Sequence, residues 1–406
     1  MKSAFWSSIC ALTTLVAPST VMAQTFDGIG FIGGASYSAS WAVSIDGKTV
    51  AGTGATVGTG SAHPVSWVRN DGLVDLGLVP GSTVGATGGC SGISADGTVI
   101  VGLSTDLGTT RVFVRTPTSY SFIDNANSAA AHISPDAAIV YGKNGTTGPS
   151  PNAGFYWTTS SGRVVVPNTV FLASNYDGST LGGISDHVFG YSSLGNPIHG
   201  NTPTTWTLAN GAVPLLDNGQ FVRGNLTGIS SDGSVVTGFL ASDPINNTNL
   251  DTFRWTAADG YQRLGVPVNA APVISGNGQV ICVANLVWTE DFGARALDSI
   301  LIDAGVESII GWTSLSITGI SANGRVLAGN GVDPGGKQEG WVATLPPSCP
   351  GDINGDHAVN TFDLGVILSH FGQSVIIGDN GDINADGVVN TLDLGIVLSQ
   401  FGQFCP

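Results

Sequence analysis

From residue 24 to residue 345 the chain is built of short apolar runs, alternating or β-branched, separated by Gly, Asn, Asp and Ser. Runs of this length and period predict strands joined by turns. One phrase recurs among them: an aliphatic residue, Ser, any residue, Asp or Asn, Gly, any residue, two aliphatics, any residue, Gly. It is clear at residues 43–52, 93–102, 229–238 and 320–329, and degraded copies begin at Ile133-Ser134, Ile184-Ser185 and Ile274-Ser275. The Asp-Gly or Asn-Gly in each copy supplies the positive φ of a tight hairpin turn, so each copy predicts two antiparallel strands.

The serines of these copies are Ser44, Ser94, Ser134, Ser185, Ser230, Ser275 and Ser321. Their mean step is roughly 46 residues, the length of a propeller blade. An aromatic follows each in turn and marks a third strand: Trp67, Phe113, Trp157, Trp206, Trp255, Trp288 and Trp341. A leucine-rich run after a Gly turn marks a fourth, clearest at residues 73–77 and 261–265. Four strands in each of seven units predict a mainly β chain folded as a seven-bladed β-propeller, with six or eight blades left open by the irregular third and fourth units. The last unit has no fourth strand. The run Gly30-Phe31-Ile32-Gly33-Gly34 is expected to complete it, closing the ring and removing an exposed edge. The repeats resemble the bacterial extracellular HAF repeat family over residues 27–345. That resemblance implies a secreted β-repeat protein and no defined activity.

Beyond residue 350 the period changes. Leu364, Ile367, Leu368 and Phe371 fall at i, i+3, i+4 and i+7, and Leu394, Val397, Leu398 and Phe401 repeat the pattern 30 residues later. Each set predicts an amphipathic helix, stopped by Gly372 or Gly402. Each helix is entered from the sequence Asp-x-Asn-x-Asp-x-x-Val-Asn-Thr-x-Asp-Leu-Gly. Oxygen ligands at positions 1, 3, 5, 9 and 12, with a carbonyl at 7, are what a hard divalent cation needs to replace its water shell. The first loop offers Asp352, Asn354, Asp356, the Ala358 carbonyl, Asn360 and Asp363. The second offers Asp382, Asn384, Asp386, the Val388 carbonyl, Asn390 and Asp393, which makes two Ca2+ sites. Position 6 is His357 in the first loop and Gly387 in the second. Gly adopts positive φ there cheaply and His at about 1 kcal/mol, so the first site is expected to be the weaker.

No amphipathic helix precedes either loop, and residues 351–406 resemble a type I dockerin, including Asp at position 12. The resemblance implies a small all-α calcium-binding domain whose positions 10 and 11, here Thr361, Phe362, Thr391 and Leu392, contact a cohesin-like partner. Those pairs differ from the Ser-Thr pair common in cellulosomal members. Dockerin termini lie close together, so the resemblance also implies a disulfide between Cys349 and Cys405, contributing on the order of 4 kcal/mol. Cys90 and Cys282 are expected to stay unpaired, as a strand-borne buried thiol commonly does.

At the amino end, Lys2, an uncharged apolar stretch from Ala4 to Ala17 and the small residues around Ala23 read as a secretory signal over residues 1–23. Pro346-Pro347-Ser348 reads as a short linker over 346–350. The expected order is therefore signal, propeller over 24–345, linker, and dockerin-like domain over 351–406. Such a protein is secreted, extracellular or bound at the cell surface, with no segment long enough to span a membrane.

Charge narrows the partners. The 13 Lys and Arg against 29 Asp and Glu give a net charge of −16, and residues 351–406 contain no Lys or Arg. Nucleic acid and anionic membrane are disfavoured, and folding of the C-terminal segment is expected to be coupled to Ca2+.

Catalytic groups are thinly spread. His63, His132, His187 and His199 sit in unlike settings, and Glu290, Glu307 and Glu339 are the only glutamates. The repeated Ser and Asp read as turn chemistry and not as a sialidase-type Asp box, because aliphatics follow where that motif continues to Thr-Trp. One aromatic per unit reads as inter-blade core, whereas Trp41 lies outside the repeated position and reads as an exposed aromatic. The reading that follows is a non-catalytic binding and assembly protein, docked through its dockerin to a cohesin-like partner while its propeller offers a face to a polysaccharide or cell-surface ligand. One alternative is a carbohydrate-active component, a glycoside hydrolase using Asp pairs drawn from Asp124, Asp177, Asp217 and Asp251. Another is a calcium module that serves only as a stabilising end cap.

Overall fold

The structure is a computed structural model of the 406-residue chain. It describes residues 25–56, 61–69, 71–83, 85–145, 153–191, 197–243, 248–345, 351–354, 358–375, 381–384 and 387–403. The expected signal over 1–23, the linker over 346–350, and Asp356, His357, Asp386, Cys349 and Cys405 lie outside those residues.

The alternating runs fold into seven antiparallel sheets of four strands. Blade 1 consists of Ser38–Val43, Thr49–Ala55, Ala62–Val68 and Gly72–Asp75, bonded in chain order, and the next five blades repeat that order. First strands of neighbouring blades touch all the way round, so they form the inner ring. Blade 7 has Thr313–Ile320, Val326–Val332 and Gln338–Thr344, and its outermost strand is Thr25–Gly28 from the other end of the chain. Thr25 lies opposite Thr344, and Gly28 opposite Trp341.

An N-terminal strand therefore closes the ring as the pattern predicts, but earlier residues supply it. The run at residues 30–34 is not a strand. Ile32–Gly34 is a 3-10 turn with Gly33 at φ +52° and Gly34 at φ +87°, and its glycines bend the chain from the edge of blade 7 to the inner strand of blade 1. Phe26 anchors the closing strand, its ring 5.2 Å from Trp341 and 5.1 Å from Trp312. Arg69 clamps the strand from outside, donating to Thr25 Oγ1 and Asp27 Oδ2, each at 2.9 Å.

The recurrent phrase owes its residues to one turn. In blade 1 the Ser44 amide donates to the Thr49 carbonyl at 2.8 Å, and the Gly47 amide to the Ser44 carbonyl at 2.9 Å. The Thr49 amide then donates to Ser44 Oγ at 3.0 Å. Ser44 Oγ donates to Asp46 Oδ1 at 2.6 Å, and Asp46 Oδ1 also accepts from the Lys48 amide. The connection is thus a four-residue loop braced by side chains, longer than a two-residue hairpin turn. Ser94, Ser134, Ser230, Ser275 and Ser321 repeat the side-chain bond.

Blade 4 corrects the sequence reading. Its turn residue is Asn175, whose Oδ1 accepts from the Thr180 amide at 2.9 Å, while Ser185 lies within the strand Leu181–Tyr191. Asn presents the same acceptor as Ser, so the turn survived where the Ser pattern did not. In blade 3 the Gly of the phrase is Ala137, held at φ +63°.

The residues that follow these turn serines join the blades into a circle. Asp46 N donates to Ala95 O, Ala95 N to Pro135 O, Asp136 N to Tyr176 O and Tyr176 N to Ser231 O. Ser231 N then donates to Gly276 O, Asn277 N to Ala322 O, and Ala322 N to Ile45 O. Each blade interface carries one such bond, which gives seven blades and a closed ring. The last Gly of the phrase has a separate cause. A Cβ at Gly183 would lie 1.8 Å from the Val170 carbonyl oxygen, and one at Gly52 2.0 Å from that of Ala39, because the inner strands carry bulges there.

The expected aromatic column is two columns. Trp67, Trp157, Trp206, Trp255 and Trp288 lie opposite Val50, Val140, Leu181, Val236 and Ile281. Phe113 and Trp341 lie opposite Gly102 and Gly329, one pleat further on. Phe155 and Phe253 share that second column, and all four of its aromatics are fully buried. Between blades 6 and 7 the chain also makes the helix α1, Leu297–Asp303, whose Leu297 and Leu301 enter the inter-blade core. Cys90 and Cys282 are buried and free, as expected. Burial pushes the Cys90 thiol up to about 12, so it is inert at neutral pH.

Candidate metal centre

Each C-terminal loop runs into a helix capped by the loop's own polar residues. The helices are α2, Thr361–His370, and α3, Thr391–Gln400. Asn360 Oδ1 accepts from the Phe362 amide at 2.7 Å and Asn390 Oδ1 from the Leu392 amide at 2.8 Å, so the position-9 side chains are N-caps. Asp363 and Asp393, at position 12, complete the capping boxes. Asp363 Oδ2 accepts from the Asn360 amide, and its Oδ1 from the amides of Ile353 and Asn354 at 2.7 and 3.1 Å. Asp393 repeats this on Asn390, Ile383 and Asn384. The position-12 carboxylate thus folds the start of the loop back onto the start of the helix.

The two halves cross-pair. Val359 exchanges backbone bonds with Gly402 and Gln403, and Val389 with Gly372 and Gln373. Between them Val359, Ile367, Val389 and Val397 form a fully buried core. This corrects the expected apolar face. Only Ile367 and Val397 of the predicted positions are fully buried, whereas Leu368, Phe371, Leu398 and Phe401 are exposed, along with Phe362 and Leu392. Gly372 and Gly402 stop the helices at φ +77° and +83°, and Gly387 at position 6 has φ +85°.

Among the described residues no group of three His, Cys, Asp or Glu is gathered in a form that could hold a metal ion; the position-5 aspartates are not among them. The described donors nevertheless fit a hard cation. Asp352, Asn354, Asn360 and Asp363, with Asp382, Asn384, Asn390 and Asp393, present oxygen and no sulfur. Asp363, Asp382 and Asp393 are almost completely buried in a segment with no Lys or Arg.

The propeller's polar candidates are mostly occupied in holding its fold. Asp124 accepts from Arg163 Nε at 2.6 Å, and Asp177 accepts from the Ser179 amide in the blade 4 turn. His63 Nδ1 meets Asp75, and His199 Nδ1 meets Asp186 at 2.8 Å. Ser185 Oγ lies 2.9 Å from His187 Nε2 and 2.6 Å from Thr204 Oγ1, and Thr204 donates to the Thr202 carbonyl. With Thr204's proton so placed, Ser185 donates to Thr204 and accepts from His187. That polarity is opposite to the one a nucleophile and its general base require. Trp41 is exposed, as its place outside the repeat suggested.

The comparisons agree with this division. The dockerin type I domain family matches residues 350–401, and no curated protein matches the chain. Among solved structures, the β-propeller domain of the Trilobed protease from Pyrococcus furiosus, described as having an open velcro topology, is similar over 76% of this chain and 95% of that one, with 12% identity and a TM-score of 0.51. Kuenenia stuttgartiensis hydrazine synthase is similar over 74% of this chain and 94% of that one, with 12% identity and a TM-score of 0.42. Pyrococcus horikoshii acylaminoacyl peptidase is similar over 77% of this chain and 53% of that one, with 12% identity and a TM-score of 0.47. At such identities the likeness is one of fold alone. The chain is a seven-bladed propeller followed by a small, mostly α-helical region that matches the dockerin type I family. No helix of its described residues is long and apolar enough to cross a membrane.

Proposed function

We propose that this is a secreted, non-catalytic assembly protein: its dockerin, loaded with calcium, docks to a cohesin-like partner, and its HAF-type propeller presents a ligand-binding face. The observation that carries this is the exposed apolar surface of the C-terminal domain. Phe362, Leu368 and Phe371 lie outside the core on one half, and Leu392, Leu398 and Phe401 repeat them on the other. Large apolar side chains placed twice on the surface of so small a domain favour a protein partner.

The proposed ligands are Asp352, Asn354, Asp356, the Ala358 carbonyl, Asn360 and Asp363 in the first site, and Asp382, Asn384, Asp386, the Val388 carbonyl, Asn390 and Asp393 in the second. Bound calcium supplies the positive charge that the domain lacks. Asn360 and Asn390 cap the helices, and Asp363 and Asp393 hold each loop against its helix, so loop order and helix order form together. The partner face then stands on an ordered scaffold, with Thr361, Phe362, Thr391 and Leu392 at its centre. Signal removal at about residue 23, a short linker and a Cys349–Cys405 clasp complete the proposal.

Capture of the full chain on a panel of immobilised cohesin modules, with calcium and with chelator, tests this reading. Retention by at least one module in calcium and release in chelator are expected. Equal retention with chelator, or none on any module, contradicts it.

A further inference from the structure

The seam where the ring closes, between blades 7 and 1, holds a cleft of about 160 Å3. Tyr37 and Trp41 line it from blade 1, and Asn330, Gln338 and Glu339 from blade 7. Trp41 occupies the bulge of its strand and is 44% exposed. Its Nε1 donates to Thr53 Oγ1 at 3.2 Å, which fixes the indole with a face in solvent. Unlike the aromatics of the fully buried column, Trp41 is an anchored ring left uncovered.

Glu339 departs in the opposite direction. It is a carboxyl only 8% exposed. Oε1 accepts from the Gly30 amide at 2.8 Å, and the carboxyl lies against Gly28, where a Cβ would fall 2.3 Å from that oxygen. Oε2 accepts no hydrogen bond from a described residue. Desolvation raises its pKa. A buried acid costs stability that an apolar residue here would not.

We propose that this cleft is a carbohydrate-binding subsite that takes the terminal ring of a glycan chain. A pyranose has an apolar C–H face to stack on Trp41 and hydroxyls to donate to Glu339 and share with Gln338 and Tyr37. The volume suits about one ring, well below the ~300–1,000 Å3 of sites that enclose larger ligands. A cationic side chain is the competing occupant, and Lys337 opposes it. Its charge already acts on Glu339, and its Nζ stands 5.0 Å over the Phe31 ring beside the seam. The inference deepens the proposed presenting role of the propeller and rests on that reading.

The test applies the full chain to an immobilised array of oligosaccharides, with a lysine-rich peptide beside them and cohesin capture scored on the same preparations. Binding to at least one saccharide is expected, reduced tenfold or more in Trp41→Ala, largely kept in Trp41→Phe and weakened in Glu339→Gln, with capture unchanged in all. If Trp41→Ala fails to fold, the exposed Gln338→Ala takes its place, and weakened binding is again expected. No saccharide bound, or saccharide binding indifferent to these changes, overturns the subsite. Binding of the peptide alone overturns the ligand class. Lost capture with intact saccharide binding overturns only the tether.

Discussion

The amide of Ala322, in the last blade, donates to the carbonyl of Ile45, in the first, at 3.0 Å. That bond completes a circle of backbone bonds, so each blade interface is held at the inner ring as well as by the aromatic core behind it. At the rim, by contrast, closure rests on a four-residue strand, Thr25–Gly28, and on what that strand buries.

Phe26 is therefore the residue on which closure depends most. Phe26→Ala empties a site walled by Trp341 and Trp312 and is expected to destabilise the propeller by about 3–5 kcal/mol. Arg69→Ala, which removes a partly exposed clamp, should cost at most about 1 kcal/mol. Urea unfolding followed by tryptophan fluorescence distinguishes the two, and equal effects would contradict this account of the seam.

Ala137 holds a turn position that glycine fills at Gly47, Gly97 and Gly233. Ala137→Gly relieves a left-handed backbone and should stabilise by about 1 kcal/mol. Gly183→Ala should do the reverse and more, because its Cβ has no room beside the Val170 carbonyl. Thermal unfolding of both variants checks the pair.

His132 stacks on Tyr141 at 5.6 Å, and burial pushes its pKa down to about 4. The unfolded imidazole titrates near pH 6.5, so the unfolded chain binds the extra proton between these values. The contribution of this group is fully present above about pH 6.5 and lost as pH falls toward 4, by roughly 3 kcal/mol in all. His132→Gln should flatten that part of the stability curve. An unchanged slope in the variant would assign the acid sensitivity elsewhere.

The exposed face of the C-terminal domain gives a prediction about binding without unfolding. Phe362→Ala and Leu392→Ala remove side chains outside the core, so calcium-dependent helicity should be unchanged, within about 0.5 kcal/mol in stability. Capture by a cohesin-like partner should fall, and fall further in the double variant, because each half carries the same face. Circular dichroism and capture on the same samples read the two effects separately.

Blade number, strand order and ring closure were legible because one turn repeats. Its Ser, Asp and Gly each have a bond or a clash that fixes them, and such residues leave a pattern. The pattern failed where chemistry allowed a substitute, as at Asn175. It also failed where glycines imitated a strand, as at Gly30–Gly34, since only the partner Trp341 distinguishes Phe26 from Phe31. The α1 helix had a signal in the spacing of Leu297, Ile300 and Leu301, hidden by its brevity. In the C-terminal domain the entry of each loop into its helix, at Asn360 and Asn390, was legible in the repeat, but helical periodicity could not tell a core face from an exposed one. Leu368 and Phe371 lie on the same stripe as Ile367, and only the packing of Ile367 against Val359, Val389 and Val397 decides which of them is covered. The cleft at the seam was invisible apart from Trp41, because residues about 300 positions apart form it.

The central claim is that the C-terminal loops hold calcium and order the docking surface. Calorimetric titration of calcium into the full chain, beside Asp352→Ala and Asp382→Ala, tests it most directly. Two sites per chain are predicted, with Asp352→Ala and Asp382→Ala each removing one, and the site lost with Asp352 being the weaker. Absence of calcium binding by the unmodified chain, or binding that neither substitution changes, would contradict it.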